Sequence, residues 1–217
     1  MNYLEIVKDV LVRLREDDGI TAVTDTPYSK LIGKYVNDAK RFVEDSYNWN
    51  ALTATVTVAT TPSLFNYVLV GAGQRFKVVD VVNSEEDVFL KYVPNTTITN
   101  WMLNTNSTQT GAPLYYNFNG VDLNGDTQVD LYPIPDAVYN IYFNTIVPQA
   151  ALSADSDVPY VPVEPIIKYA YAMATAERGE DQGLSVSEAR ALADQSLGDA
   201  IAIENGRYRD EFVWHSV

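Results

Sequence analysis

The hydrophobic repeat of this chain changes twice along its length, from a helical period to a strand period and back again. Residues 3–16 place Leu4, Val7 and Leu11 on one stripe with charged residues between them, which is typical of an amphipathic helix. A second helical pattern covers residues 28–49. Because helices and strands bury different sets of side chains, the two changes predict separate helical and β regions.

From Leu52 onward the repeat has a period of two, and Gly, Pro and Asn separate short runs rich in β-branched and aromatic residues. The runs are TATVTVAT, FNYVLV, QRFKVVDVV, DVFLKYV, PLYYNFN, TQVDLYP and YNIYFNTIV. They predict an antiparallel β region of about seven strands. Within this region, residues 97–104 favour one or two helical turns instead.

Beyond Pro159 the helical period returns. Pro165 indicates the start of one helix and Gly179 its end, since proline is tolerated in a first helical turn and glycine favours the left-handed residue after the last. Ser185 and a glutamate three residues later have capping-box spacing for a further helix, which is predicted to end at Gly206.

This order of elements predicts an α+β fold. The N- and C-terminal helices form a four-helix bundle, and a central antiparallel β domain is inserted between the helix pairs. Residues 1–50 and 160–206 make up the bundle, residues 51–159 the β domain, and residues 207–217 a C-terminal docking tail.

Composition excludes several classes of protein. The chain has no cysteine, which rules out disulfides, thiolate nucleophiles and zinc–sulfur sites. No apolar run reaches the roughly 18 residues that a membrane helix needs, and residues 1–16 lack the apolar core of a signal peptide. We therefore expect a soluble protein that does not contact a membrane and is not exported by a signal peptide.

The net charge of −14 is unevenly distributed, because no Lys or Arg lies between Lys91 and Lys168. The acids inside that gap are Asp122, Asp126, Asp130, Asp136, Asp155, Asp157 and Glu164. Nucleic-acid binding draws most of its affinity from cations that neutralise phosphates, so the gap predicts a surface past which DNA moves without being bound. A solubilising acidic surface is the alternative interpretation.

The stretch VDLNGDTQVDLYPIPD, residues 121–136, has two interpretations. Its oxygen-bearing residues match several positions of a calcium loop: Asp122, Asn124, Asp126 and Asp130. However, the loop lacks both the glycine at its sixth position and the bidentate acid at its twelfth. Asn124-Gly125 is instead a strong hairpin-turn signal, since both residues tolerate positive φ. We predict a turn with Asp126 and Asp130 facing solvent, and no metal site.

Catalytic residues are not evident in the sequence. The sole histidine, His215, lies near the C-terminus, and no GxSxG nucleophile motif is present. Glu85, Glu86 and Asp87 are predicted to cluster in a hairpin turn rather than to face each other as a glycosidase pair. Residues 71–75, GAGQR, lack the third glycine of a dinucleotide-binding loop. We predict no enzyme activity, no catalytic residue and no cofactor.

The tail after Gly206, RYRDEFVWHSV, is aromatic where a solitary domain commonly ends in polar residues. Aromatic side chains in extended segments are efficient anchors on a partner protein. The candidate docking residues are Arg207, Tyr208, Phe212 and Trp214. Packing of the tail on this chain's own helices is the alternative.

Several stretches resemble those of a known family in both content and order. They are YNWNAL after the second helix, TGAPLYYNFNG, VDLYPIPDAVYNIYF, LSADSDVPYVP and EPIIKYAYAMATAERGE. With the helical opening they span nearly the whole chain. On these stretches the chain resembles the head-to-tail adaptors, or connectors, of tailed bacteriophages, the tail tubular protein A-like family.

The resemblance implies a structural virion protein that is assembled in the host cytoplasm and located at the head–tail junction. It implies a ring of twelve copies beneath the portal protein, with a channel through which DNA passes without specific binding. The helical bundle would make the lateral contacts, the β domain would meet the next tail component, a tail tube or nozzle, and residues 207–217 would dock on the portal. We add the hypothesis that three acids face the channel: Asp155, Asp157 and Glu164.

A carbohydrate- or peptide-binding β module with helical flanks is the alternative function. It draws on the aromatic residues of the middle region: Tyr115, Tyr116, Phe118, Tyr132 and Tyr139. Such a module exposes several coplanar rings and stays monomeric, whereas a connector forms a closed ring.

Overall fold

The computed structural model of the protein describes residues 1–104, 109–179 and 186–207. These ranges form five α-helices and two four-stranded sheets, so the predicted combination of helices and strands is confirmed. The chain divides into two compact units. The helical unit comprises residues 1–52 and the chain from residue 148 onward, and the β unit comprises residues 53–147.

The helical unit begins and ends its helices at recognisable signals. Its elements are α1 (Tyr3–Arg13), α2 (Pro27–Ser46), a 3₁₀ turn (Asn50–Leu52), α4 (Val163–Arg178) and α5 (Val186–Gly206). The Asn2 side chain accepts from the Glu5 N–H, and the Glu5 carboxylate accepts from the Asn2 N–H. These two hydrogen bonds form a capping box at the N-terminus of α1. At the end of α4, Gly179 takes a left-handed φ of 63°, as the sequence predicts.

Helix α4 lies at the centre of this unit and contacts α1, α2 and α5. The side chains buried between these helices include Ile6, Val10, Val36, Ile166, Ala170 and Ala174, each 0 % exposed. The small alanine side chains allow neighbouring helices to approach α4 closely. Burial of this apolar surface is the main source of stability for the helical unit.

The crossing of α1 and α2 depends on a glycine. A Cβ at Gly33 would lie 2.5 Å from the Tyr3 hydroxyl oxygen and 2.7 Å from Val23 Cγ1, whereas a Cβ at Gly198 on α5 would meet no atom within 4 Å. We expect Gly33→Ala to lower the free energy of unfolding by about 1–3 kcal/mol through overpacking. Gly198→Ala should raise it by about 0.4–1 kcal/mol, because alanine restricts the unfolded chain.

Urea unfolding followed by circular dichroism at the helix band compares the two variants directly, since both are glycine-to-alanine changes within helices. If both substitutions raise the free energy of unfolding, the side chains around Gly33 accommodate a methyl group without loss of stability, which would contradict this prediction.

The described residues of the β unit form eight strands, where the sequence predicts about seven. They are β1 (Thr53–Ala59), β2 (Asn66–Val68), β3 (Lys77–Asn83), β4 (Val88–Phe89), β5 (Lys91–Tyr92), β6 (Tyr115–Val121), β7 (Thr127–Tyr132) and β8 (Asn140–Ile146), with α3 (Asn95–Asn104) between β5 and β6. One sheet has the order β1-β8-β3-β4 and the other β2-β7-β6-β5. The predicted helical segment at residues 97–104 is confirmed as part of α3.

The prediction that the strands are antiparallel throughout is wrong at one pair. β5 runs parallel to β6, with Lys91 opposite Tyr115, because the connection that contains α3 returns the chain in the same direction. The remaining strand pairs are antiparallel. The core of the unit draws on both sheets, with Leu69, Val129, Leu131, Ile141 and Phe143 each 0 % exposed.

The stretch at residues 121–136 forms the predicted hairpin turn between β6 and β7. Gly125 has a φ of 90°, and the Asp122 carboxylate accepts from the N–H groups of Asn124 and Asp126 at 2.9 and 2.8 Å. The pKa of Asp122 is held below its ordinary value, chiefly by the Asp126 N–H. The Asp122 carboxylate thus stabilises a turn.

The expectation that Asp126 and Asp130 face solvent is wrong. Asp130 is 5 % exposed and accepts from the side-chain amides of Asn66 and Asn119 at 2.8 and 2.7 Å, because β7 lies between two other strands that each present an amide. Asp126 is half-buried and accepts from the Gly73 N–H at 3.0 Å. Both carboxylates join segments of the β unit to one another.

Candidate assembly interface

The candidate docking residues begin at the C-terminal end of α5. Arg207 is the last described residue there, and Tyr208, Phe212 and Trp214 lie outside the described residues. The Arg207 guanidinium contacts the Glu204 carboxylate at 3.0 Å, and its side chain remains 62 % exposed. The structure therefore gives Arg207 an intramolecular partner and leaves much of its surface accessible to another molecule.

Glu204 connects this end of α5 to the segment after α2. Its residue surface is 5 % exposed, and its second carboxylate oxygen accepts from the Asn50 N–H at 3.2 Å. The next residue of α5, Asn205, accepts a hydrogen bond from the Tyr47 hydroxyl. These bonds fix the last turn of α5, from which the tail departs, against residues 47–52.

Residues 47–52 are the stretch YNWNAL that carries part of the family resemblance. Trp49 is 1 % exposed, and its indole N–H donates to the Val43 carbonyl at 2.7 Å, so the ring closes the C-terminal end of α2. The Tyr47 ring meets it edge-on with ring centroids 5.3 Å apart. Leu52 is also buried. The stretch therefore serves as the packing platform for the end of α5.

A groove of about 390 Å³ lies between this platform, the start of α4 and the end of α5. Its lining includes Trp49, Tyr160, Val161, Ile203, Glu204 and Arg207. Tyr160 is 62 % exposed and Ile203 is 66 % exposed, so an aromatic and an aliphatic side chain stand open to solvent beside the start of the tail. Clustered exposed apolar side chains are typical of surfaces that bind another protein.

Sequence reasoning missed this groove because its members come from three separate segments. The i, i+3 spacing of Glu204 and Arg207 was a local signal for their ion pair. Tyr160 and Ile203 carry no such signal, since each is an ordinary apolar residue until the fold brings both to one surface. They are the interface candidates that the structure adds.

The three acids predicted to face a channel have different environments. The Asp155 carboxylate accepts from the Val23 N–H at 3.1 Å, and the Asp157 carboxylate accepts from the Ser153 and Ala154 N–H groups at 2.7 and 2.8 Å. These donors, led by the Ser153 N–H, hold the pKa of Asp157 below its ordinary value.

Glu164 lies in the first turn of α4 and is the most solvent-accessible of the three acids. It contacts Lys168 at 3.3 Å, and its own side chain is 57 % exposed. Asp155 and Asp157 are half-buried and stabilise the loop before α4, while Glu164 presents negative charge to solvent.

A protein-family model described as SU10 adaptor protein matches residues 1–213, which is nearly the whole chain. The chain belongs to the SU10 adaptor protein family. This membership makes it a structural phage protein and a component of the virion, and it confirms the expectation of a phage adaptor. The comparison with curated proteins found no match.

Neither a metal-binding cluster nor a membrane-spanning helix occurs in the described ranges of this SU10 adaptor. No group of three or more His, Asp or Glu side chains there could hold a metal ion. Within those same ranges, no helix is both long and apolar enough to span a membrane.

The aromatic side chains that suggested a binding module are largely inside the β unit of the SU10 adaptor. Tyr116 and Tyr132 are buried, and the three others, Tyr115, Phe118 and Tyr139, are half-buried. Trp101 of α3 covers Tyr115 and Tyr132, with ring centroids 5.1 Å away in both cases. These five rings therefore fill the unit rather than form the open platform that a carbohydrate site needs.

Proposed function

We propose that this adaptor forms an oligomeric ring, of twelve copies, that joins the portal protein to the next tail component at the head–tail junction. The family match over residues 1–213 carries the proposal, since it spans both compact units and the start of the tail. The narrower relationship to the tail tubular protein A-like group is part of the same proposal. The tail tube or nozzle is the component that follows.

The helices of the helical unit act in this proposal as a four-helix bundle that makes the lateral contacts of the ring. Residues 1–50 and 160–206 form this functional domain. Residues 51–159 form the β domain, which contacts the next component of the phage tail, and residues 207–217 form the segment that docks on the portal. In support, α4 contacts each of the other helices of its unit and leaves the outer faces of α2 and α5 exposed. Phe42 on α2 and Leu192 on α5 are examples, at 40 % and 44 % exposed.

Portal docking is assigned to the tail, with Arg207, Tyr208, Phe212 and Trp214 as its contacts. The tail starts beside the groove that contains exposed Tyr160 and Ile203, which supports a protein contact at this end of the helical unit. Buried aromatic anchors dominate the binding energy of many interfaces, so the three aromatic residues should contribute most of the affinity.

The channel is assigned an acidic lining that includes Asp155, Asp157 and Glu164. The gap without Lys or Arg between Lys91 and Lys168 supports it, because phosphate finds no cation to bind along that stretch. Glu164 has the exposed carboxylate that repels DNA, and the other two acids add negative potential from partly buried positions.

Removal of the tail tests portal docking. A chain that ends at Arg207 keeps the Arg207–Glu204 ion pair and the groove, and we expect it to lose more than about tenfold in affinity for the purified portal of the same phage. Replacing Tyr208, Phe212 and Trp214 by serine should have the same effect. A matched control, Asp210→Asn with Glu211→Gln, alters the charge of the tail and should bind the portal normally.

Native mass spectrometry and negative-stain imaging, with and without the portal, measure both stoichiometry and symmetry. Retention of full portal affinity by the truncated chain would contradict tail docking while leaving the ring intact. A full-length chain that stays monomeric with the portal present would contradict the ring itself.

A further inference from the structure

Strand β1 is a long edge strand that lacks the charges, prolines and bulges that commonly prevent further pairing. It comprises Thr53–Ala59, TATVTVA, and lies at one end of the sheet order β1-β8-β3-β4. It contains no charged residue and no proline, and its register with β8 runs without a bulge from Thr53 opposite Ile146 to Ala59 opposite Asn140. Charges, prolines and bulges are the devices by which soluble proteins keep such an edge from pairing with another chain.

The other sheet edges in the described part of the chain are protected by their length. β4 has two residues, β5 two and β2 three, so none offers enough backbone for a stable added strand. β1 has seven residues, and the side chains along it are mostly exposed, with Val58 buried and Val56 half-buried. Among the described strands, β1 is therefore the edge with enough backbone for a stable added strand.

We infer that the outer edge of β1, residues 54–59, accepts an extended segment of another virion protein, which pairs with it as an additional strand of the sheet. This inference rests on the proposed function, because it names the surface of the β unit that contacts the next tail component. Backbone N–H and C=O groups of β1 would supply the affinity, as in other cases of strand addition.

Pairing of β1 with the β1 strand of a second copy does not fit a ring. Among the described strands, only β1 offers a long edge, so two copies could match it only by pairing β1 with β1. That contact is two-fold symmetric and closes a dimer, whereas a ring requires head-to-tail contacts between different surfaces. A segment of another virion protein has no such conflict with ring symmetry, and it is therefore the occupant we assign to this edge.

The side chains of β1 define which segment fits. Val56 and Val58 lie on the face that packs against the core of the β unit, while Thr55 and Thr57 lie on the opposite, exposed face. On that face, Thr55 donates to the Asn144 side chain of β8 at 2.8 Å, and Asn144 donates to Asp80 of β3 at 2.6 Å. The exposed face of the sheet next to this edge is therefore polar. The matching segment is about six residues long, apolar on the side that continues the core and polar on the other.

The absence of cysteine in this chain allows a direct test by site-specific crosslinking. Thr55→Cys and Thr57→Cys place single thiols on the exposed face of β1, and Val79→Cys places one on β3 of the same sheet, where Val79 is 60 % exposed. Virions assembled with each variant are labelled with a maleimide benzophenone, irradiated and digested, and the crosslinked peptides are identified by mass spectrometry. Incorporation of each variant in wild-type amounts verifies first that the ring assembles.

The expected result is a crosslink from positions 55 and 57 to one segment of another virion protein, several-fold stronger than from position 79. The two attachment points should lie two residues apart on that segment, since paired strands advance together. A crosslink between two copies of this chain, or a yield no higher than from position 79, would overturn the inference while the ring stands. Absence of the adaptor from its place in wild-type virions would instead refute the proposed function.

Discussion

Replacing Lys40 by methionine is expected to lower the free energy of unfolding by about 3–5 kcal/mol. The Lys40 ammonium lies 2.8 Å from the Glu44 carboxylate, and the two side chains are only 2 % and 1 % exposed. It also donates to the carbonyls of Gln149 and Ala150, at 2.8 and 3.1 Å. Removing the ammonium would leave the two carbonyls without this donor. The buried Glu44 carboxylate would keep its hydrogen bond from the Gln149 N–H but lose its counter-charge, and these losses carry most of the cost.

A matched control for this variant exists on α4. Lys168 pairs with Glu164 at 3.3 Å with the same i, i+4 spacing, but its side chain is 29 % exposed and that of Glu164 is 57 % exposed. Lys168→Met should change stability by at most about 1 kcal/mol, since water solvates both charges when the pair is broken. Urea unfolding followed by helix circular dichroism measures both variants under identical conditions.

The double variant Lys40→Met with Glu44→Leu removes both charges, and it therefore separates the cost of an unpaired carboxylate from the other effects of losing Lys40. We expect it to recover only part of the stability lost in the single variant. Apolar side chains remove the unpaired buried carboxylate, but the Gln149 and Ala150 carbonyls still lack their donor and the Gln149 N–H loses its acceptor. An effect of Lys40→Met no larger than that of Lys168→Met would show that Lys40 is hydrated in solution.

Trp49→Ala is expected to cost about 3–5 kcal/mol, through loss of buried surface and creation of a cavity. Trp49 is 1 % exposed, and it lies between the end of α2 and the groove beside the end of α5. Its indole N–H donates to the Val43 carbonyl at 2.7 Å. The substitution therefore removes the ring that supports the last turn of α5, where the proposed docking tail begins.

Two further variants distinguish packing from hydrogen bonding at this position. Trp49→Phe keeps most of the ring and should lose about 1–3 kcal/mol. Trp101→Ala removes a half-buried tryptophan of the β unit and should cost less than Trp49→Ala, since less surface is lost to solvent. Equal losses for Trp49→Ala and Trp101→Ala would contradict the central role given to Trp49.

Elements with strong local signals were predictable from the sequence. The periodic pattern at residues 3–16 corresponds to α1, and Gly179 and Gly206 lie at the ends of α4 and α5. Asn124-Gly125 forms its hairpin turn because its signal depends only on neighbouring residues and the φ values that they tolerate. The capping role predicted for Ser185 lies outside the described residues.

Predictions about individual side chains were less successful where several strands meet. Asp130 has the alternating spacing of a solvent-facing residue, yet two asparagines of neighbouring strands surround it. The parallel pairing of β5 with β6 likewise depends on the course of a crossover rather than on either strand's own residues. Both features arise from partners 11 to 64 residues away or from chain topology, which no local pattern contains.

By itself the sequence determined the order of helices and strands, the absence of cysteine chemistry and the resemblance to phage adaptors, because each follows from local composition or from motifs in a fixed order. Only the tertiary structure decided that Lys40 holds residues 149–150, that Tyr160 and Ile203 share a groove beside the tail, and that β1 is an open edge. Contacts between distant segments depend on how whole elements pack, so they appear only when the chain is folded.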